Sequence, residues 1–252
     1  MKKIVITGAL GYIGTEICKL YSGLSWKYDV VALDSRFISE RVNELKRRKI
    51  KFVQADILNL NEIKNYIYEA DTVHHLAGIT DVAYVKKDSN SDQDEKIKKV
   101  AVEGTENVLN SMNDKATIVF PSTHVVFEGL KKPKKNVDEN EETSTFLAYS
   151  SSKVVNEKQI INSGKKYAIF RLGSVYGFST DTMRINIMPN LFSKIASQDG
   201  TIKLFGGGVQ LKSLVPLIDV ARCFKFAEEN KKFNSGIYNL TKENTTVKEV
   251  AL

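Results

Sequence analysis

The chain has 252 residues, of which 42% are hydrophobic and 27% charged, as is usual for a protein that folds around a sizeable core. No apolar run approaches the roughly 18 residues that a membrane-spanning helix needs, and a strand follows Met1-Lys2-Lys3 too closely for a signal peptide, so we expect no membrane contact and a cytoplasmic location. The formal charge of +7 accompanies lysine clusters without interleaved aromatic residues, which favours solvated loops and argues against a nucleic-acid groove.

The first predicted element is a short apolar strand that stops at a glycine-rich turn. The turn and the start of the next helix read Thr7-Gly8-Ala9-Leu10-Gly11-Tyr12-Ile13-Gly14, and helical periodicity continues to about Tyr21. Residues without Cβ let a diphosphate approach the backbone, and the free N–H groups and dipole of the helix then hold its negative charge. We therefore expect Gly8, Gly11, Tyr12, Ile13 and Gly14 to bind a dinucleotide, although an ordinary strand-to-helix turn has the same short pattern.

The second predicted strand, residues 28–33, ends at an acidic residue. Asp34 lies about 20 positions beyond the glycines, where a carboxylate accepts hydrogen bonds from the hydroxyls of the adenosine ribose. This selects NAD, because repulsion between the Asp34 carboxylate and the 2′-phosphate of NADP should outweigh attraction by nearby Arg36. Arg36 is instead expected over the adenine. The alternative interpretation makes Asp34 a plain residue of a strand-ending turn.

Strands and helices alternate along the next part of the chain. Helices are predicted at residues 40–49, 61–68, 94–112 and 146–162, and strands at residues 51–54, 72–76, 116–120 and 167–172. The alternation predicts an α/β fold with parallel strands joined by right-handed crossovers. Ligands of such sheets bind beyond the carboxyl ends of the strands. Further cofactor-binding residues are expected at that edge: Asp56, Ile57, Ala77, Gly78 and Ser122.

Two polar segments interrupt the alternation. Residues 81–93 are predicted to form a loop over the cofactor. Residues 131–145 are highly charged and contain Pro133, and they are predicted to form a loop on the surface. The two cysteines, Cys18 and Cys223, lie far apart inside helical patterns. We therefore expect buried thiols rather than a disulfide, and no metal, since metal-binding spacing is absent.

Tyr149 and Lys153 share one face near the start of the helix predicted at residues 146–162. A phenol has a pKa of about 10, so acting as a base near pH 7 requires about 4 kcal/mol of extra stabilisation of the phenolate. An exposed ion pair supplies about 0–1 kcal/mol, whereas a partly desolvated ammonium group together with the positive nicotinamide ring supplies enough. Thr123, which follows the fifth strand, is placed to hold the reacting hydroxyl. The alternative is an ordinary exposed helical pair.

Further motifs extend the pattern along the chain. They read Asp56-Ile57, His75-Leu76-Ala77-Gly78, Gly104-Thr105-Glu106-Asn107-Val108-Leu109, Ser122-Thr123, Tyr149-Ser150-Ser151-Ser152-Lys153 and Arg171-Leu172-Gly173-Ser174-Val175-Tyr176-Gly177. Together with the glycine turn and Asp34, these motifs resemble the extended short-chain dehydrogenase/reductase family, in particular its NAD-dependent nucleotide-sugar epimerase and dehydratase branch. The resemblance implies a Rossmann-type doubly wound parallel sheet over residues 1–172. It also implies a small C-terminal α/β lobe, residues 173–252, interleaved with that domain, which binds a nucleoside diphosphate sugar.

The resemblance also implies roles for single residues. Tyr149 would be the general base, Lys153 would hold the nicotinamide ribose and lower the pKa of Tyr149, and Thr123 would be the hydroxyl partner. NAD is the implied cofactor, with Leu76 among its contacts, and a homodimer would form through a four-helix bundle of the helices that begin near residues 94 and 146. The chain stops inside a predicted helix, so we expect the lobe to be incomplete. Substrate contacts are expected from Thr80, His124, Ser174, Arg184 and Lys212.

Departures from the family pattern bear on the reaction. Family dehydratases and decarboxylases carry an acid at the position of Val125, so the chain favours oxidation and re-reduction at one sugar carbon, C4, as in a 4-epimerase. Met183-Arg184 resembles a subgroup with members that oxidise or reduce C4 without epimerising it. A 4-dehydrogenase or reductase, a dehydratase and a non-catalytic, RNA-associated dinucleotide-binding scaffold therefore stay as alternatives. His124 is either an added acid or base or a structural histidine, and Ser174 and Lys212 replace family residues, which leaves the substrate open.

Overall fold

The computed structural model describes residues 1–80, 90–132, 134–179, 182–230 and 235–252. Its main sheet contains β1 Lys2–Thr7, β2 Tyr28–Asp34, β3 Lys51–Gln54, β4 Thr72–His75, β5 Thr117–Thr123, β6 Lys166–Leu172 and β9 Gly236–Leu240. These seven strands follow the order β3-β2-β1-β4-β5-β6-β9, and every neighbouring pair is parallel. The predicted α/β fold with a parallel sheet is confirmed.

Helices cover both faces of this sheet, and a smaller sheet lies beside it. The helices are α1 Tyr12–Leu20, α2 Ser39–Arg47, α3 Leu60–Tyr68, α4 Ser91–Ser111, α5 Ala148–Asn162, α6 Met188–Ala196, α7 Leu217–Glu229 and α8 Val247–Ala251. The smaller sheet has the order β10-β8-β7, formed by β7 Ser174–Tyr176, β8 Leu211–Pro216 and β10 Glu243–Thr246. Among the described residues, no helix combines the length and the apolar character that crossing a bilayer requires.

The doubly wound arrangement follows from alternation along buried strands. In β1, Ile4 and Ile6 face one helical layer and Val5 faces the other, because successive side chains of a strand point to opposite faces. The first layer comes from α1, α2 and α7 and the second from α3, α4 and α5. Burying one such aliphatic side chain stabilises the fold by about 1.5–3 kcal/mol. The helical contributors include Ile17, Leu45 and Phe224 on the first face and Ile63, Val108 and Ile160 on the second.

The end of β5 and the beginning of α4 each differ from the prediction by three residues. Strand β5 continues through Pro121 to Thr123, although proline lacks the N–H that a strand interior normally uses. Pairing of β5 with β4 ends at Val119, but pairing with β6 continues to Thr123, so β6 carries the strand past the proline. The carbonyl oxygen of Pro121 accepts a hydrogen bond from Lys153. Helix α4 begins at Ser91, with Asn90 as its N-cap, so residues 91–93 are helical rather than part of the predicted loop. Residues 81–89 of that loop lie outside the described residues.

The C-terminal part of the chain contributes to both sheets. Strand β9 extends the large sheet beside β6, and α7 packs against α1, whereas β7, β8 and β10 form the small sheet. The division into residues 1–172 and 173–252 therefore stays a prediction, with the second part interleaved with the first. Both cysteines are free thiols, and Cys18 is buried whereas Cys223 is half-buried.

Two adjacent buried histidines should make the fold sensitive to acid. Nε2 of His74 lies 2.9 Å from Tyr21 Oη, and Nδ1 and Nε2 of His75 lie 2.8 and 3.0 Å from the hydroxyls of Thr7 and Thr105. Burial lowers the pKa of each histidine to about 3. Since the pKa in the unfolded chain is about 6.5, the unfolded chain binds more protons between these values, and stability is lost as the pH falls from about 6.5 towards 3.

On acidification, the free energy of unfolding should fall less steeply in His74→Leu than in the parent protein. Between about pH 6 and pH 4 we expect the two slopes to differ by about 1.4 kcal/mol per pH unit, because the variant takes up one proton fewer on unfolding. Urea denaturation at several pH values measures both slopes. Carboxylates titrate equally in both proteins, so their contribution cancels in the comparison. Parallel pH dependences would contradict the assignment.

Candidate active site

A cavity of about 1460 Å³ lies at the carboxyl edge of the large sheet. Every residue that the sequence analysis named as catalytic, cofactor-binding or substrate-binding lines this one cavity, so residues more than 200 positions apart converge there. Sites for a single small ligand are typically about 300–1,000 Å³, so the volume has room for two. The lining residues include Gly8, Gly11, Tyr12, Ile13, Gly14, Asp34, Arg36, Asp56, Ile57, Leu76, Ala77, Gly78, Thr80, Ser122, Thr123, His124, Tyr149, Lys153, Ser174, Arg184 and Lys212.

The glycine turn brings β1, the start of α1 and the end of β4 into close contact. Gly8 has φ +65°, and a Cβ there would lie 2.7 Å from the backbone nitrogen of Ala77. A Cβ at Gly14 would collide with the carbonyl oxygen of Gly8. Helix α1 begins directly after Gly11, so its first turn faces the cavity with the N-terminal end of its dipole. This geometry fits the diphosphate of a dinucleotide.

Asp34 ends β2 with both carboxylate oxygens engaged. Oδ2 accepts from the backbone N–H of Leu10 at 3.0 Å, and Oδ1 accepts from the backbone N–H of Arg36 at 3.1 Å. The guanidinium of Arg36 also donates to both oxygens, at 3.0 and 3.2 Å. In this structure Arg36 is therefore paired with Asp34, and its place over an adenine ring stays a prediction. The Arg36 side chain is 56% exposed, so it can rotate away and leave acceptor sites for ribose hydroxyls.

A buried hydrogen-bond chain fixes the segment after β4. Thr7 Oγ1 accepts from the backbone N–H groups of Leu76 and Ala77, each at 3.2 Å, and the His75 imidazole joins this hydroxyl to that of Thr105 on α4. The segment at Ala77 is thereby held against the glycine turn. This role of His75 has no local signal in the sequence, because both of its hydroxyl partners lie about 30 or more positions away.

Tyr149 and Lys153 lie in the first and second turns of α5, with their side chains in the cavity wall. Lys153 Nζ donates to the carbonyl oxygen of Pro121 at 2.8 Å and lies 4.3 Å from the ring centroid of Phe120 and 5.9 Å from that of Tyr149. Burial lowers the pKa of Lys153 to about 8. The helical pair predicted from the i, i+4 spacing is thus a partly desolvated pair.

Opposing effects act on the pKa of the Tyr149 phenol. Burial raises its pKa, whereas the positive charge of Arg184 and a hydrogen bond with Thr123 lower it. The net pKa is above the ordinary value, so the phenol needs additional positive charge nearby before it acts as a base at neutral pH. The sequence analysis did not predict an effect of Arg184 on Tyr149.

A buried ion pair connects α5 to the neighbouring strand β6. Arg171 on β6 donates through Nη2 to Glu157 Oε2 at 2.8 Å and through Nε to Glu157 Oε1 at 3.1 Å, and both side chains are 4% exposed. Ser122, which precedes Thr123, donates to Glu157 Oε1 at 2.5 Å. The network joins β5, β6 and α5 beneath the cavity. The sequence analysis missed it, because no local spacing pairs residues of different elements.

Glu128 holds the beginning of α5. One carboxylate oxygen accepts from the backbone N–H of Leu147 at 2.9 Å and of Phe146 at 3.2 Å, and from the hydroxyl of Ser150. This carboxylate satisfies N–H groups that the helix itself leaves unpaired and interacts favourably with its dipole. The helix that carries Tyr149 is therefore anchored at its N-terminus by a residue that also lines the cavity.

Of the expected substrate residues, Ser174 and Lys212 belong to the small sheet, Arg184 precedes α6, and Thr80 and His124 follow strands of the large sheet. His124 Nδ1 is 2.9 Å from the carbonyl oxygen of Leu172, and burial lowers the pKa of this imidazole, as is typical of a structural histidine. Arg184 donates through Nη2 to the carbonyl oxygen of Thr80 at 2.5 Å. Ser174 lies on β7 and Lys212 on β8. Val125 also lines the cavity, as an apolar residue directly after His124.

The parallel sheet, the glycine turn at its carboxyl edge and an acidic residue ending β2 define a Rossmann-type dinucleotide-binding protein. Comparison with known proteins agrees with this class. Residues 4–241 match the model of the NAD-dependent epimerase/dehydratase family, and the chain belongs to that family of NAD-dependent enzymes. The predicted family and cofactor are confirmed.

Individual relatives are similar over most of the chain. A putative UDP-glucose 4-epimerase of Methanocaldococcus jannaschii is 31% identical over 229 residues, which cover 87% of this chain and 71% of the relative. The crystal structure of Thermus thermophilus UDP-glucose 4-epimerase in complex with NAD has a TM-score of 0.79 at 22% identity, covering 99% of this chain and 81% of that one. The Bacillus cereus UDP-glucuronic acid 4-epimerase in complex with UDP-glucuronic acid and NAD has a TM-score of 0.79 at 24% identity, covering 97% and 79%. At these identities the two structures establish a common fold.

Proposed function

We propose that this chain is a nucleotide-sugar epimerase that oxidises and re-reduces one sugar carbon, with C4 favoured. The observation that carries the proposal is that Thr123, Tyr149 and Lys153 line the same cavity as the glycine turn and Asp34. The apolar Val125 disfavours elimination of water. The M. jannaschii relative and both solved structures are described as 4-epimerases of UDP-sugars, which supports UDP-sugars as the substrates to test first.

The residues of the cavity would have separate roles in the reaction. NAD, when bound, would supply the hydride acceptor and donor for the sugar carbon. The glycine turn would hold its diphosphate and Asp34 its adenosine ribose. Thr123 would orient the reacting hydroxyl by a hydrogen bond, Tyr149 would take its proton and give it back to the opposite epimer, and Lys153 would hold the nicotinamide ribose.

The substrate would occupy the side of the cavity near Arg184 and Lys212. Lys212 would meet the sugar diphosphate with a full charge but without the bidentate fork of an arginine. Helices α4 and α5 pack on each other, and Val155 and Ile161 on α5 are each 40% exposed. We propose, by analogy with the family, that this helix pair forms the four-helix bundle of a homodimer and that the enzyme works in the cytoplasm.

Product analysis by NMR tests the function. The protein is incubated with NAD and, in turn, UDP-glucose and UDP-glucuronic acid, and we expect C4 epimers to interconvert while NADH stays far below the amount of product. A ketone formed together with an equal amount of NADH would identify a net oxidoreductase, and loss of water a dehydratase; either result contradicts the proposal. The shared cavity of Thr123, Tyr149 and Lys153 argues against a non-catalytic scaffold.

A further inference from the structure

Asn190, in the first turn of α6, connects two distant parts of the cavity wall. Its side chain is 4% exposed, and Nδ2 donates to the carbonyl oxygen of Arg184 at 2.9 Å and to Tyr12 Oη at 3.3 Å. Oδ1 accepts from the backbone N–H of Gly177 at 2.9 Å. Tyr12 Oη in turn donates to the carbonyl oxygen of Gly177 at 2.5 Å. We call these four residues the Asn190 cluster.

The Asn190 cluster fastens the chain after β7 to the glycine turn. Tyr12 is the first residue of α1, between two glycines of that turn, and Gly177 directly follows β7 with φ +130°, which favours glycine. Burial raises the pKa of Tyr12, which keeps its hydroxyl protonated as a donor. A second link runs parallel to the cluster, since Thr15 Oγ1 on α1 lies 3.1 Å from Thr182 Oγ1.

Arg184 is held by hydrogen bonds at its backbone and at its guanidinium group. Asn190 holds its backbone carbonyl, and the guanidinium donates to the carbonyl oxygen of Thr80, which follows β4. Between these points the side chain lines the cavity that Tyr149 also lines, and its charge is among the causes that lower the pKa of Tyr149. A cation held in place before the reaction costs no reorganisation when the phenolate forms.

We propose that Asn190 is a positioning residue for the reaction, which docks Arg184 on the glycine turn so that a guanidinium group acts on Tyr149 as a second cation besides Lys153. The inference deepens the proposed epimerase function and rests on it. It explains why a polar side chain is buried at this position of α6, because an apolar residue would leave the N–H of Gly177 and the carbonyl of Arg184 unpaired. It assigns Tyr12 a second task beyond contact with the cofactor.

Direct titration of Tyr149 tests the proposal without requiring turnover. The ultraviolet absorbance of phenolate is followed against pH in the NAD-loaded parent and in each variant. Subtracting the curve of the same protein with Tyr149→Phe added leaves the titration of Tyr149 alone. In Asn190→Leu and in Arg184→Met, we expect the pKa of Tyr149 to rise by about 1, which is about a tenfold smaller phenolate fraction at neutral pH. Tyr12→Phe removes one hydroxyl and should give a smaller rise. Arg184→Lys should largely restore the parent value, since it keeps a cation.

The matched control is Ser193→Ala on the exposed face of the same helix, whose hydroxyl donates to the carbonyl oxygen of Pro189 one turn earlier. Circular dichroism and NAD affinity identify variants that are folded, and Tyr12→Phe and Arg184→Met keep the test decisive where Asn190→Leu does not fold. An unchanged titration in folded Asn190→Leu or in Tyr12→Phe overturns the inference, as does an equal rise in Ser193→Ala. Failure of the epimerase proposal would show instead as absence of epimer product from the parent protein, which leaves this titration readable.

Discussion

In the Tyr149→Phe variant, epimerase turnover is expected to fall by about 10³-fold, the range in which loss of a general base usually lies. The substitution removes only the phenolic oxygen, so no group remains to take the proton from the sugar hydroxyl that Thr123 holds. The ring that packs in the cavity wall is kept, and the glycine turn and Asp34 are untouched. NAD affinity should therefore stay within about twofold, a change of less than about 0.5 kcal/mol. Product formation by NMR and calorimetric titration with NAD measure the two quantities.

Tyr238→Phe is the matched control for this experiment. Tyr238 has a lysine four positions later, as Tyr149 has, but it lies in β9 and is not among the described residues that line the cavity. Its ring packs at 5.9 Å from the ring of Phe170, a contact that phenylalanine preserves. Turnover in this variant should match the parent. Near-parent rates in Tyr149→Phe would refute the assignment of the base.

Replacing Arg171 with methionine should have the largest effect on stability. The variant leaves the Glu157 carboxylate buried beneath the cavity without its cation, and breaking such a pair costs about 3–5 kcal/mol. A domain of ordinary stability has about 5–15 kcal/mol in total, so the variant would lose a substantial part of its stability. Urea denaturation followed by circular dichroism gives the change in the free energy of unfolding.

The double variant Arg171→Met with Glu157→Met separates the cost of an unpaired charge from the cost of lost packing. Removing both charges takes away the buried carboxylate, so the double variant should recover about 2 kcal/mol or more relative to Arg171→Met alone. Additive losses, or a single variant within about 1 kcal/mol of the parent, would show that the pair contributes little. Lys165 with exposed Asp114 is a surface pair on the same molecule, and Asp114→Asn should change stability by less than about 1 kcal/mol.

Much of this architecture could be predicted because it depends on local pattern. The glycine spacing, the apolar strands and the acidic end of β2 each concern a few consecutive residues, whose backbone geometry and face are fixed by short-range sterics and periodicity. The rule that ligands meet the carboxyl ends of parallel strands predicted one shared edge for the residues that end or follow those strands, and the cavity lies there. The expected substrate residues came from the resemblance to the family instead. The boundaries at Pro121 and Ser91 differed, because strand pairing and an N-cap decide where an element ends.

By itself, the sequence determined the order of strands and helices as far as β6, the dinucleotide turn and the helical pair of Tyr149 and Lys153, since each depends on neighbouring residues. Only the tertiary structure decided that Arg36 pairs with Asp34, that Glu157 and Arg171 form a buried pair and that Arg184 and Tyr149 line one cavity. Asn190 shows the reason most clearly, because its partner Tyr12 is 178 positions away. Contacts at that separation depend on how completed elements pack, and no periodicity along the chain encodes which side chains then meet.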